Sequence, residues 1–210
     1  MTKIFIADDH VLIREGLKKL LKDEFDLTIV GEARAASEIL EGIKNSGCDI
    51  LILDLALPDK PGLDVLKEVK AIYPNVRVLI LSTYPEDRFA IRTLKAGADG
   101  YLSKDSAGEE LVVALRRIAN GRKYFSDNIS SDLAQAIRMG IGGLPHELLS
   151  DREFEVLCMI ASGKSISDIA GELNLSVSTV NTHRVHILEK MRMETNAQLM
   201  RYALEYKLVD

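Results

Sequence analysis

The sequence predicts two units of different class: a doubly wound α/β unit built on a five-stranded parallel sheet, then a small all-α unit. Short apolar runs alternate with amphipathic helical stretches through the first 120 residues, the pattern of a parallel sheet with helices on both faces. The runs "ILILDL" and "RVLILST" are nearly continuously apolar, as central strands covered on both sides must be. Beyond Ser150 the β-branched runs stop and only helical periodicity remains.

The repeats follow in order. "KIFIAD" precedes "VLIREGLKKLLKD", "LTIVGEA" precedes "ASEILEGIKN", and "DILILDLAL" precedes "LDVLKEVKAIY"; then "RVLILST" precedes "EDRFAIRTLKAG" and "GYLSK" precedes "SAGEELVVALRRIANG". These five strand-helix repeats fill residues 1–121. Residues 122–147 read as a linker with one helix, "ISSDLAQAIRM", before "GIGGLPHE", where glycines and a proline interrupt any regular element. Residues 148–210 hold four short helices, "SDREFEVLCMIASG", "SISDIAGEL", "SVSTVNTHRVHILEKMR" and "TNAQLMRYALEYKL".

With 210 residues and 47% apolar content the chain can bury two cores. A formal net charge of −5 excludes a uniformly basic nucleic-acid binder but leaves room for a local basic patch. No basic opening leads into an apolar core with a cleavage site, and no apolar run reaches the ~18 residues a bilayer requires. A cytoplasmic protein without a membrane partner is expected. Cys48 and Cys158 lack CxxC spacing and sit among apolar neighbours, so both are expected as free, mostly buried thiols. Gly163-Lys164-Ser165 invites a nucleotide-binding reading, but Cys158 stands where a phosphate loop needs glycine. Gly163 reads better as a helix C-cap.

In a doubly wound parallel sheet, ligands collect beyond the carboxyl ends of the strands, near the point where strand order reverses. Asp8 and Asp9 end the first predicted strand, Asp54 the third, Ser82 and Thr83 the fourth, and Lys104 the fifth. Singly these are ordinary strand-end residues; together they put three carboxylates, a hydroxyl and an ammonium on one rim. Clustered hard oxygens suit Mg2+, which also bridges to a phosphoryl oxygen. An ammonium neutralises a second such oxygen and a small hydroxyl binds a third. The pattern predicts phosphorylation of an aspartate. Asp54 follows the most apolar strand and precedes "LALPDKPG", a loop expected to leave its carboxylate exposed above the sheet. Asp54 is therefore the expected nucleophile, with Asp9 a direct metal ligand and Asp8 a ligand directly or through water. At position 56 the side chain is Ala, so a ligand from Ala56 must be its backbone carbonyl. His10 is expected only to start the first helix.

The segments "ADDH", "ILDLALPDKPG", "LILST" and "AGADGYLSKD" resemble the receiver domain of bacterial two-component response regulators, over residues 2–120. The resemblance implies a flavodoxin-like fold, phosphoryl transfer to Asp54 from a sensor histidine kinase, and Mg2+ supported by Asp8 and Asp9. It also implies Ser82 as switch hydroxyl, Lys104 paired with the acyl phosphate, and Tyr101 as the aromatic residue that swings inward when the hydroxyl moves. Leu57 stands where Met is frequent in receivers, a volume-conserving change, and Asp105 stands where many have Pro.

In the second unit, Ser176 precedes a helical run as an N-cap candidate. At about 100° per residue, Val180, Ile187 and Met191 share a stripe that must face the core, while Asn181, Thr182, Val185, His186 and Glu189 point away. An outward valine beside an amide and a hydroxyl suits a DNA major groove, where thymine methyls accept apolar contact and asparagine reads adenine. An ordinary solvated face is the other reading. The preceding "ISDIAGEL" is joined through "NLS", a connection of helix-turn-helix length. Residues 148–208 resemble the LuxR-type helix-turn-helix, and its pairing with a receiver resembles the NarL/FixJ family of response regulators. This implies a recognition helix over 176–192 on a double-stranded DNA operator. Asn181, Thr182 and Val185 match its base-facing positions, and Arg184, Lys190, Thr179 and His183 its phosphate contacts.

From Ser150 onward nine acidic side chains outnumber seven basic ones, a poor balance for binding through counterion release. Asn181 and Ser167 also stand where many relatives carry Lys. Modest affinity per monomer and reliance on a homodimer formed upon phosphorylation are expected. Leu199, Ala203 and Met200 either form a dimer surface or pack onto their own unit. The whole predicts a phosphorylation-dependent transcription regulator, not an enzyme beyond transfer and hydrolysis at Asp54. A phosphatase of the haloacid dehalogenase type uses similar groups, but with a DxD motif after its first strand, where this chain has "DDH". A ligand-sensing quorum regulator would carry an aromatic-lined pocket, and this chain has no Trp.

Overall fold

The computed structural model describes residues 1–84, 86–125, 144–206, 208 and 209. The chain divides into two compact units, Met1–Gln135 and Ala136–Asp210. In the first, β1 (Thr2–Ala7), β2 (Leu27–Ala33), β3 (Ile50–Leu53), β4 (Arg77–Ser82) and β5 (Gly100–Ser103) alternate with α1 (Val11–Leu21), α2 (Ala36–Ser46), α3 (Gly62–Ile72), α4 (Glu86–Lys95) and α5 (Ala107–Ala119). The strands lie in the order β2-β1-β3-β4-β5 and every pairing is parallel. This is a doubly wound, flavodoxin-like sheet that reverses direction between β1 and β3.

Alternation along each strand sends its side chains to two cores. Ile4, Ile6, Ile50, Ile52, Leu79, Leu81 and Leu102 pack with Leu17 and Leu21 of α1 and with Leu111, Leu115 and Ile118 of α5. The intervening Phe5, Leu51, Leu53, Val78 and Ile80 are also buried, which explains why these strands read as unbroken apolar runs. The Phe5 ring lies against Gly31 of β2 and Gly42 of α2, where an added Cβ at either position would strike it. Each such buried large side chain contributes about 1.5–3 kcal/mol.

After α5 the chain returns to the sheet edge, where Tyr101 N–H donates to the Tyr124 carbonyl at 2.9 Å and Tyr124 N–H to the Asp99 carbonyl at 2.9 Å. The expected linker helix "ISSDLAQAIRM" lies outside the described residues. Within "GIGGLPHE", where no regular element was expected, Pro145 opens a 3-10 turn, Pro145–Leu148. Its fixed φ suits a first helical position, and the His146 ring packs on Phe154, Tyr202 and Tyr206.

The second unit has four α-helices among the described residues: α6 (Asp151–Ala161), α7 (Ile166–Glu172), α8 (Val177–Met191) and α9 (Asn196–Glu205). Ser150, Ser165 and Thr195 close capping boxes with Glu153, Asp168 and Gln198, and Ser176 accepts from Thr179 N–H. Each cap contributes about 1 kcal/mol. Gly163 takes φ +83° just past α6, the left-handed residue that ends a helix. Asn174, at φ 51°, turns the chain between α7 and α8. Cys48 and Cys158 are buried thiols outside any disulfide, and burial pushes the Cys48 thiol up to about 11. No helix among the described residues is long and apolar enough to cross a membrane.

Candidate functional site

The rim residues converge where strand order reverses. Asp8 follows β1, Asp54 follows β3 and Lys104 follows β5. Lys104 Nζ lies 2.6 Å from Asp54 Oδ2 and 2.8 Å from Asp8 Oδ2, and none of the three side chains is more than 6% exposed. The expectation that Asp54 stands exposed is therefore corrected: it is 1% exposed. The ammonium covers it from β5, and the β3–α3 loop folds back over its base. Gly62 permits that fold-back, donating its N–H to the Leu55 carbonyl at 2.9 Å. A Cβ at Gly62 would collide with the Asp54 carbonyl and Leu55 Cα. Ala56 N–H donates to Asp54 Oδ1 at 3.2 Å.

Burial pushes the Asp54 carboxyl up from its ordinary value, and Lys104 opposes it. Burial alone would lower the Lys104 ammonium, but Asp54 and Asp8 outweigh it and hold Lys104 above the ordinary lysine value. The short contacts to two carboxylates keep Lys104 charged. Asp9, 31% exposed, lies 2.7 Å from His10 Nδ1 through Oδ1. One ligand atom each from Asp8, Asp9, His10 and Asp54 fall within 4.8 Å of one another. Asp8 Oδ2 and Asp9 Oδ1 are buried without a well-oriented hydrogen bond, although Lys104 and His10 stand at ion-pair distance. Under-satisfied carboxylate oxygens in such a cluster fit the hard-oxygen demand of Mg2+.

Two members of this corner were not anticipated. His10 N–H donates to Asp8 Oδ1 at 2.8 Å, and its Nδ1 lies 3.2 Å from the same oxygen. Arg14, 2% exposed, donates from Nη1 to the Asp8 carbonyl at 2.8 Å and from Nε to Glu32 Oε2 at 3.2 Å. The signal was present in the sequence, because Arg14 shares the buried stripe of α1 with Leu17 and Leu21. A guanidinium at such a position needs buried acceptors.

Ser82 is fully buried and its Oγ accepts from Tyr84 N–H at 3.2 Å. Tyr101 is 1% exposed, turned inward, and its hydroxyl donates to the Tyr84 carbonyl at 2.8 Å. Ser82 and Tyr101 thus hold opposite ends of one residue in the β4–α4 loop.

In the second unit, Val180, Ile187 and Met191 of α8 are buried, as the stripe predicts. Asn181, Thr182, Val185, His186 and Glu189 are exposed on the opposite face. The residues expected on phosphates are tied into the unit: Lys190 Nζ lies 2.6 Å from Glu153 Oε2, and Arg184 Nε donates to Asn196 Oδ1 at 2.6 Å. Thr179 Oγ1 lies 2.8 Å from Ser176 Oγ, and Thr182 Oγ1 donates to the Ser178 carbonyl at 3.1 Å. Burial, with Arg152 nearby, lowers the half-buried His183 below the ordinary histidine value. Leu199 and Ala203 are fully buried; α9 packs against α6, and these two residues form no dimer surface. Met200 remains partly exposed.

Residues 4–116 match the response regulator receiver domain family, and residues 147–203 match the bacterial regulatory proteins of the luxR family. The oxygen regulatory protein NreC of Staphylococcus epidermidis is 33% identical over 216 residues, covering 99% of each chain. Response regulator GacA of Pseudomonas syringae pv. syringae is 32% identical over 211 residues, covering 100% of this chain and 99% of its own. Among solved structures, the Salmonella typhimurium RcsB response regulator is similar at 25% identity and a TM-score of 0.60, covering 96% of this chain and 97% of that one. Together, fold and matches define a two-component response regulator with a receiver and a LuxR-type DNA-binding domain. More narrowly, the chain belongs to the NarL/FixJ family of response regulators.

Proposed function

We propose that this chain regulates transcription under control of phosphorylation: Asp54 accepts a phosphoryl group from a sensor histidine kinase, and the second unit binds a double-stranded DNA operator. The observation that carries the reading is the buried contact of Lys104 with Asp54 and Asp8 beside under-satisfied carboxylate oxygens. In the transfer, an Asp54 carboxylate oxygen attacks phosphorus and the phosphorus–nitrogen bond of a phosphohistidine breaks. The electron pair stays on the imidazole nitrogen, which takes a proton from water. Lys104 pairs with one phosphoryl oxygen, and the Ser82 hydroxyl donates to another. Asp8, Asp9, Asp54 and the Ala56 carbonyl would hold Mg2+, which when bound neutralises charge building on the phosphoryl oxygens. Water then hydrolyses the acyl phosphate to reset the protein, the only turnover expected of it.

Phosphorylation adds charge and acceptor oxygens, which draw the Ser82 hydroxyl away from Tyr84 N–H. Tyr84 is also held by Tyr101, so its loop and the β4–β5 surface shift between two populated arrangements. In this reading residues 1–121 receive the signal, 122–147 link, and 148–210 bind DNA as a homodimer formed on phosphorylation, in the cytoplasm. The exposed Asn181, Thr182 and Val185 read base edges, and Arg184, Lys190, Thr179 and His183 face the backbone. The related RcsB regulator interacts with DNA, which supports the assignment.

Acetyl phosphate labelling is the direct test. Wild type is expected to incorporate phosphate and Asp54→Asn none; full labelling of the variant would overturn the assignment of the acceptor. Footprint selection beside sizing chromatography, with and without phosphorylation, then reads operator and oligomer together.

A further inference from the structure

Resting on the acceptor-site reading above, we propose that Asp59 is a positioning residue that anchors the phosphorylation loop, residues 54–62, to the N-terminus of α2 and so holds Ala56 in register with Asp54. Helix α2 begins at Ala36 with Ala35 at its N-cap, and no side chain of its own caps it. Alanine is among the poorest N-cap residues, because it offers no acceptor to the first free N–H groups. A residue more than twenty positions away fills the gap: Asp59 Oδ1 accepts from Ala36 N–H at 2.7 Å, and Oδ2 from Ser37 N–H at 2.9 Å. The positive end of the helix favours a carboxylate there.

The same contact works in the other direction. Pro58 and Asp59 stand exposed, so beyond the buried Leu57 and the ion pair of Lys60 with Glu68 it is the Asp59 grip that offsets the entropy of ordering the loop tip. The base of the loop is closed by Gly62 N–H on the Leu55 carbonyl, and Pro58 and Pro61 stiffen the tip. Between base and tip lies Ala56, whose N–H donates to Asp54 Oδ1 and whose carbonyl is the expected Mg2+ ligand. A two-pronged grip on α2 limits how far that backbone can lift away from Asp54. Asp59 does not touch the reacting atoms; it acts through Ala56.

A repair of α2 alone separates this role from simple helix capping. Asp59→Ala in the full chain removes both the cap and the anchor. Adding Ala35→Ser rebuilds a local N-cap without touching the loop. Two measurements are made on wild type, Asp59→Ala and the double variant: calorimetric titration with MgCl2 without a phosphodonor, and hydrogen exchange in peptides from α2 and from residues 54–62. Asp59→Ala is expected to weaken Mg2+ binding about tenfold, the low end of the loss seen when a partner outside the ligand set is removed, and to speed exchange in both segments. The double variant should regain α2 protection while Mg2+ affinity and loop exchange stay at the Asp59→Ala values. Wild-type Mg2+ affinity in Asp59→Ala, or its restoration by Ala35→Ser, would overturn the proposal. If wild type itself binds no Mg2+, the acceptor-site reading fails instead. Loop exchange in the double variant still decides the anchor: wild-type protection there would overturn it.

Discussion

Lys104 separates two buried carboxylates, and removing its charge leaves them facing each other. Ligand oxygens of Asp8 and Asp54 lie within 4.8 Å, and at an effective dielectric of about 20 two unit charges that far apart repel by about 3.5 kcal/mol. Protonating Asp54, which burial already favours, relieves the repulsion at a cost of about 1.4 kcal/mol for each pH unit above the ordinary aspartate value near 3.9. That route costs about 4 kcal/mol at pH 7 but only about 1.5 kcal/mol at pH 5. Lys104→Met, which keeps the stem volume, is therefore expected to lose about 3–4 kcal/mol at pH 7 and about 1.5 kcal/mol at pH 5. The sign follows from linkage. In the variant the Asp54 carboxyl, raised by burial and by Asp8 and no longer opposed by Lys104, has a folded pKa above its unfolded value, so its protonated form supports the fold below the unfolded pKa, and that support is lost as pH rises through the folded one. Hydrogen exchange of β3 and β4 amides, without divalent cations, reads the first unit alone. The variant-to-wild-type ratio should be several hundred at pH 7 and about ten at pH 5. One ratio at both pH values would assign the loss to packing of the lysine stem and refute the charge argument.

Two further outcomes are expected in the second unit. Burial alone would lift the Glu153 carboxyl, but Lys190 and the Ser150 donors outweigh it and hold it below the ordinary glutamate value. Its contribution is present above the unfolded pKa near 4.3 and is lost as pH falls through the lower folded value. Glu153→Gln should then destabilise α6 by about 1–2 kcal/mol at neutral pH, with the gap closing well below pH 4. Exchange rates in α6 at the two pH values check this, and a constant gap would count against the ionic contribution. Alanine at Asn181 and Val185 should weaken binding to a selected operator by about 1–3 kcal/mol and leave nonspecific binding nearly unchanged. Equal losses on both DNAs in a titration would remove these residues from base reading.

The sequence by itself determined the layered architecture, because strand and helix periodicity are written into neighbours along the chain. The alternation of Ile4, Phe5 and Ile6, or of Leu79, Ile80 and Leu81, is local information, and so are the caps at Ser150, Ser165, Ser176 and Thr195. The positions of Asp8, Asp9, Asp54 and Lys104 at strand ends were legible for the same reason, since a parallel sheet gathers strand ends on one rim whatever the intervening helices contain. The α8 stripe of Val180, Ile187 and Met191 needed only the helical repeat.

Only the tertiary structure decided what those groups touch. Asp54 read as exposed, yet Lys104, fifty positions later, covers it; periodicity says nothing about which ammonium reaches which carboxylate. Arg14 on the Asp8 carbonyl, Glu153 on Lys190 and Asp59 on α2 are likewise partners set by strand order and loop path. Leu199 and Ala203 could equally have been interface or core until α9 was seen against α6. Patterns of period two or 3.6 arise from the geometry of consecutive residues, whereas buried charges are satisfied by whatever the fold brings within about 3 Å, and that depends on the whole chain at once.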